Sequence, residues 1–151
     1  MNVIRQNTDY ALRMMVILGR HYGDEPVATR VLARQGDVAY QFACKIMQQL
    51  HDAGLVKSTM GPKGGFYLAK TPSKINILQV ITALQGPVSL NNCLGIEGCE
   101  RKQNCPISAR LADIQKHIEA SLRSITLAEM LKYTSRGKNR KRGKKRRFLN
   151  G

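Results

Sequence analysis

Residues 29–69 read TRVLARQGDVAYQFACKIMQQLHDAGLVKSTMGPKGGFYLA, and the order of elements in this stretch decides the fold. A short helix is expected over Thr29–Gln35, with Thr29 as its cap and Val31, Leu32 and Ala33 turned inward. Gly36-Asp37 reads as a turn. A second helix is expected from about Ala39 to Asp52, its buried stripe marked by Ile46, Met47 and Leu50. Gly54 can then take the left-handed conformation that closes a helix. Leu55–Met60 and Phe66–Ala69 read as two strands around Gly61-Pro62-Lys63-Gly64-Gly65, a strong turn signal. Two helices joined by a Gly-containing turn and followed by a hairpin are the parts of a winged helix-turn-helix.

On the N-terminal side, Asn7–His21 has the apolar spacing of a largely buried helix. Asn7 or Thr8 is the candidate cap and Asp9 falls in the first turn. On the C-terminal side, Thr71-Pro72-Ser73 leads into a helix over Ile77–Leu84 that Gly86-Pro87 closes. An irregular segment with three cysteines lies between Val88 and Pro106. A helical pattern resumes from Ile107 to about Tyr133, with Ser108 as a candidate cap and a break near Ser124, after which Thr126 can cap a restart. The expected fold class is mainly α with a small β-hairpin wing.

The chain has 151 residues and a net charge of +15. The run Arg136–Arg147, RGKNRKRGKKRR, supplies nine of the basic residues and no acid, so without it the rest still carries +6. A basic body favours a polyanionic partner, and nucleic acid is the expected one. The tail after Thr134 is too polar and charged to fold by itself. The apolar run near Met14–Leu18 is far too short to span a bilayer, and no cleavage-site pattern follows it, so a cytoplasmic protein without membrane association is expected. Cysteines in that compartment are reduced, which points to metal or redox chemistry rather than a disulfide framework. No nucleotide-binding Gly-rich strand–helix motif is present, and no acid/base or nucleophile set converges, so an enzyme is not expected.

The second helix of the pair is slim enough to enter the DNA major groove. Tyr40, Gln41 and Lys45, near its start, are the candidate base readers. Arg34 and Lys63 are candidate phosphate contacts, and Gly64 sits where the main chain of the wing could come close to the backbone. Cys44, on the same helix, reads as a small packing residue.

Cys93, Cys99 and Cys105 recur as CLGIEGCERKQNC, a C-x5-C-x5-C spacing with Gly95 and Gly98 between the thiols. Three thiolates in a pliable loop suit an iron–sulfur cluster. Zinc, which prefers closer cysteine pairs, is the second choice, and a disulfide with a leftover thiol the third. The spacing leaves the fourth ligand open. His117 lies three turns along the next helix, and Asp9 is equally readable as a first-turn acid.

The run LHDAGLVKSTMGPKGGFYLAK, the helix ILQVITAL, the cysteine trio and ITLAEML together resemble the Rrf-two-type winged helix-turn-helix regulators, the IscR/NsrR-like family, over about Ile4–Tyr133. The resemblance implies a homodimer on a palindromic, double-stranded DNA operator, in which the helix at about Ile107–Leu122 makes the dimer contact. It implies the organisation 1–72 as DNA-binding domain and 73–133 as linker helix, cluster loop and dimerisation helix; 134–151, a disordered basic tail by its composition, is no part of the family's usual pattern. Members of the IscR type place a His three residues after the last cysteine, where this chain has Ser108. Members of the NsrR type use the Asp of D-x-A-L-R, and Asp9-Tyr10-Ala11-Leu12-Arg13 matches. The implied ligand set is therefore Cys93, Cys99, Cys105 and Asp9, with a 4Fe–4S cluster favoured over 2Fe–2S. Relatives often carry Arg before the first wing glycine, where this chain has Met60. The implied role is a transcriptional regulator, a repressor, with a zinc-bound or clusterless repressor as the alternative.

Overall fold

The computed structural model describes residues 4–91, 94 and 104–133. Helix α1 (Gln6–Arg20) is followed by α2 (Thr29–Gly36), α3 (Tyr40–Asp52), strands β1 (Val56–Thr59) and β2 (Gly65–Leu68), a 3-10 turn (Pro72–Lys74), α4 (Ile77–Gln85) and α5 (Pro106–Ser124). Residues 127–133 form a further helix, α6. The mainly helical class with a hairpin wing is what the sequence predicts.

The core is aliphatic. Met14, Met15 and Leu18 of α1 meet Leu32 of α2 and Ile46, Met47 and Leu50 of α3, with Leu55, Val56 and Leu68 closing the hairpin side. This core continues past residue 72, because Ile75, Val80 and Leu127 are members of it. A short bridge explains how the distant end of the chain joins: the Ile77 amide donates to the Ile125 carbonyl at 3.0 Å and the Leu127 amide to Ile75 at 2.8 Å. Helix α6 is thereby laid on α1 at Gly19, where a Cβ would stand only 2.9 Å from Leu131.

The turn between α2 and α3 is made by Asp37, whose φ is 54°, while Gly36 ends α2 buried beneath Val38 and Met14. Gly54 has a φ of 71°, the left-handed closure expected of it. The wing pairs Val56 with Leu68, Lys57 with Tyr67, Ser58 with Phe66 and Thr59 with Gly65. It is tied to the body by a third rung, in which the amides of Val27 and Phe66 each donate to the other's carbonyl at 2.9 Å.

Three expected caps are corrected. Helix α1 starts at Gln6 with Arg5 in the cap position. Thr8 is fully buried, its hydroxyl donating to Gln85 Oε1 at 2.8 Å, because the end of α4 gives it an interior partner that a surface cap would lack. Thr29 is already helical, with Ala28 before it in extended conformation. Helix α5 starts at Pro106, whose missing N–H suits a first turn, with Cys105 as its cap residue; Ser108 is buried inside the helix instead. Thr126 does cap α6, since it accepts from the Glu129 amide at 3.3 Å and Glu129 Oε2 accepts from the Thr126 amide at 3.3 Å. Asn76 makes the same reciprocal box with Gln79 at α4, at 2.9 and 3.0 Å. Replacing Asn76 with Ala is expected to cost about 1 kcal/mol, lowering the thermal midpoint by about 5 °C in a circular-dichroism melt.

Candidate nucleic-acid interface and cysteine loop

Helix α3 is sorted cleanly by its period. Ala43, Ile46, Met47 and Leu50 are buried, while Tyr40, Gln41, Phe42, Lys45, Gln48 and Gln49 are exposed. Its first turn has no acid and its cap residue, Ala39, offers no side-chain bond to the first amides. The positive end of the helix dipole is thus left open beside the proposed readers. Tyr40, Gln41 and Lys45 all stand on this exposed surface. Arg34 is exposed on α2, and Lys63 projects from the wing with only a distant ion pair to Glu25 at 4.0 Å. The Gly64 amide already donates to the Gly61 carbonyl at 2.9 Å, and a Cβ at Gly64 would overlap the Thr59 carbonyl. Gly64 therefore shapes the wing and brings no free N–H to a phosphate. Met60 stands 99% exposed next to it.

Two residues on this surface escape the sequence reading. The Arg30 guanidinium lies over the Tyr40 ring, 5.6 Å from its centroid, a contact between α2 and α3 that no local pattern announces. Phe42 was legible: a period of 3.6 anchored on Ala43, Ile46, Met47 and Leu50 places it off the buried stripe.

Of the four expected cluster ligands, Cys93 and Cys99 lie outside the described residues. Cys105 carries a free, half-buried thiol at the start of α5. Asp9 projects from the first turns of α1, its side chain 50% exposed, and meets Arg13 one turn later at 2.7 Å. Arg13 also donates to the Gly36 carbonyl at 3.5 Å, linking the D-x-A-L-R segment to the turn before α3. Asp9, Arg13, Gln35, Asp37 and Met130 line an open groove of about 410 Å³. Among the described residues, no three His, Cys, Asp or Glu side chains gather as a metal site. His117 is turned back on its own helix, its Nδ1 2.7 Å from the Asp113 carbonyl. Cys44 is free and half-buried on α3.

Residues 4–133 match the model of a family described as Rrf2, iron-dependent transcriptional regulator. The chain belongs to the Rrf2 family. Among its Rrf2 relatives, the transcriptional regulator IscR of Yersinia enterocolitica is 32% identical over 122 residues, which is 81% of this chain and 74% of the relative. IscR of Serratia proteamaculans is 31% identical over the same share of each chain. The solved structure of T. potens IscR superposes with a TM-score of 0.71 at 28% identity, covering 87% of both chains. CymR, the global cysteine regulator of B. subtilis, superposes with a TM-score of 0.72 at 26% identity, covering 88% of this chain and 98% of the other. The Rrf2 chain described here is accordingly a transcriptional regulator of the IscR-like kind, with the winged-helix architecture of its relatives. No helix among the described residues is long and apolar enough to cross a membrane.

Proposed function

We propose that this protein is a cytoplasmic, homodimeric repressor without enzymatic activity, whose affinity for a palindromic operator is set by an iron–sulfur cluster on Cys93, Cys99, Cys105 and Asp9. A 4Fe–4S cluster is favoured over 2Fe–2S. The observation that carries the reading is the position of Cys105: a free thiol at the cap residue of α5, the helix that is least covered by its own chain. Helix α5 has 19 residues and only Ser108 is buried. Ile107 is 66% exposed, and Leu111, Ile114, Ile118 and Leu122 continue its apolar stripe at helical spacing. An isolated amphipathic helix of that length is marginal in water, so a second copy is the natural cover. Cysteine loop and dimer contact are then continuous in the chain.

The donor set suits the cluster chemically. Three thiolates are its usual ligands, Cys105 is unpaired, and Asp9 lines an open groove with Arg13, Gln35, Asp37 and Met130. When bound, the cluster supplies an iron centre reactive toward nitric oxide, oxygen or reductant, with the carboxylate as its exchangeable ligand. The protein's part is mechanical. Arg13 holds Asp9 on one side and the Gly36 carbonyl on the other, so a change at Asp9 is felt at the turn that sets α3. Tyr40, Gln41 and Lys45 then contact base edges, Arg34 and Lys63 contact phosphates, and Gly64 keeps the wing narrow where it meets the duplex. The two α3 helices would meet half-sites about one helical turn apart or slightly more. The tail 134–151 adds salt-sensitive phosphate affinity.

Anaerobic purification tests the reading. A brown protein with stoichiometric iron and sulfide, whose operator affinity changes on exposure to nitric oxide or oxygen, is the expected result. A colourless protein that takes up no iron on anaerobic reconstitution would overturn the cluster and favour the zinc-bound or clusterless repressor, which metal analysis separates. For the DNA contacts, replacing Lys63 with Ala is expected to weaken all sequences alike and to reduce the slope of log affinity against log salt by about one per protomer. The Glu25 pair lost with it is exposed and contributes little to stability.

A further inference from the structure

Phe42 is 52% exposed in the first turn of the helix assigned to the major groove. Its neighbours in sequence show that the interior had no use for it, since Ala43 and then Ile46, Met47 and Leu50 fill the buried stripe completely. One and two turns further along the same edge stand Lys45 and Gln49, both exposed. Along its own helix edge the ring is thus followed by polar groups capable of base and phosphate contacts. The surroundings are cationic: Arg30 and Arg34 on α2 and Lys63 on the wing are exposed, and the first turns of α2 and α3 hold no acid.

An exposed aromatic ring on a cationic major-groove helix has one apolar target among the four base pairs, the 5-methyl group of thymine. We propose that Phe42 is a specificity residue of this protein, reading a thymine in each operator half-site through van der Waals contact with that methyl group. Arg30, held over the ring of Tyr40 at 5.6 Å, would serve beside it as a phosphate contact that orients the helix in the groove. The inference rests on the DNA-binding reading above and adds the base class that the operator must contain.

The test uses the full-length protein and a duplex that it selects from a random-sequence pool. Each thymine of the selected half-site is replaced in turn by deoxyuridine, which removes the methyl group and leaves base pairing unchanged. For the wild-type protein, one position is expected to lose about fourfold in affinity per half-site, and about fifteenfold when both half-sites are changed. Phe42→Ala is expected to bind the thymine duplex more weakly and to lose that sensitivity. Phe42→Leu, which keeps an apolar contact, is expected to retain part of it. Because Phe42 lies outside the core, neither variant should change the melting curve. Wild-type binding that is indifferent to every thymine-to-deoxyuridine change overturns the inference, as does a Phe42→Ala protein as sensitive to the change as the wild type. A pool from which no duplex is enriched overturns the DNA-binding reading itself, and the inference with it.

Discussion

Replacing Cys105 with Ala is expected to leave the fold intact and to strip the protein of iron. The side chain is half-buried at the cap position of α5 and makes no capping hydrogen bond. The core of α1–α4 and the wing does not depend on it. Removal should therefore change stability by less than about 1 kcal/mol, as for other substitutions that create no cavity and no buried unpaired group. On the proposed cluster reading, the loss of a thiolate acts on the metal site directly. Partners that merely orient a ligand are worth about 10- to 100-fold in metal affinity, and a ligand is worth at least as much. Iron and acid-labile sulfide in anaerobically purified protein should fall at least tenfold, the brown colour should be lost, and the far-ultraviolet circular dichroism should be unchanged. The variant should also have the operator affinity of the cluster-free wild type and no response to nitric oxide. Full iron content in the variant would remove Cys105 from the ligand set. Loss of helicity would make it a structural residue.

Asp9 offers a graded comparison. Its carboxylate is half-exposed and its bridge to Arg13 is a surface pair, so Asp9→Ala should barely alter stability. It should nevertheless weaken cluster retention, and it should free Arg13 from one of its two anchors.

What could be read from the sequence divides along a physical line. Features set by local periodicity or backbone need are legible. The buried stripe of α3, the left-handed Gly54, the hairpin around Gly61–Gly65 and the Thr126 restart all follow from spacing and residue type. Features set by a distant partner are not. Thr8 has the composition of a cap and becomes a buried donor because Gln85, 77 residues later, is there to accept. Ser108 has the same composition and is buried while Pro106 opens the helix. The docking of α6 on α1 depends on the missing side chain of Gly19 and on the Ile75–Leu127 rung, neither of which has a local signature. The candidate site divides in the same way. The exposure of Gln41 and Lys45 follows from the phase of their helix, and that of Phe42 could have been read from it too. The stacking of Arg30 on Tyr40, and the groove that Asp9 shares with Gln35, Asp37 and Met130, exist only once α1, α2 and α6 are packed.

The wing shows how tightly that packing is drawn, and Gly65→Ala should expose it. Gly65 opens β2 opposite Thr59, where the strand passes against the Val27 backbone. A Cβ there would overlap the Val27 carbonyl and stand 2.8 Å from the Ala28 nitrogen. These are main-chain atoms at the entry to α2, so no rotamer change can relieve the contact. The chain must separate, and the two reciprocal Val27–Phe66 hydrogen bonds go with it. Overpacking costs about 1–3 kcal/mol and each of the two lost backbone bonds about 1 kcal/mol, so a total of about 3–5 kcal/mol is expected. In a domain of this size that lowers the thermal midpoint by about 10–20 °C. The helices keep their own cores, so helical signal at low temperature should persist while the wing no longer holds its position beside α3. Operator affinity should then fall by more than about tenfold, the loss of several phosphate contacts at once. Lys63→Ala, which removes one contact and leaves the wing in place, should cost far less. A Gly65→Ala protein that melts like the wild type would mean that the wing is not anchored through Val27, and the reason for a glycine at this position would have to be sought at the DNA.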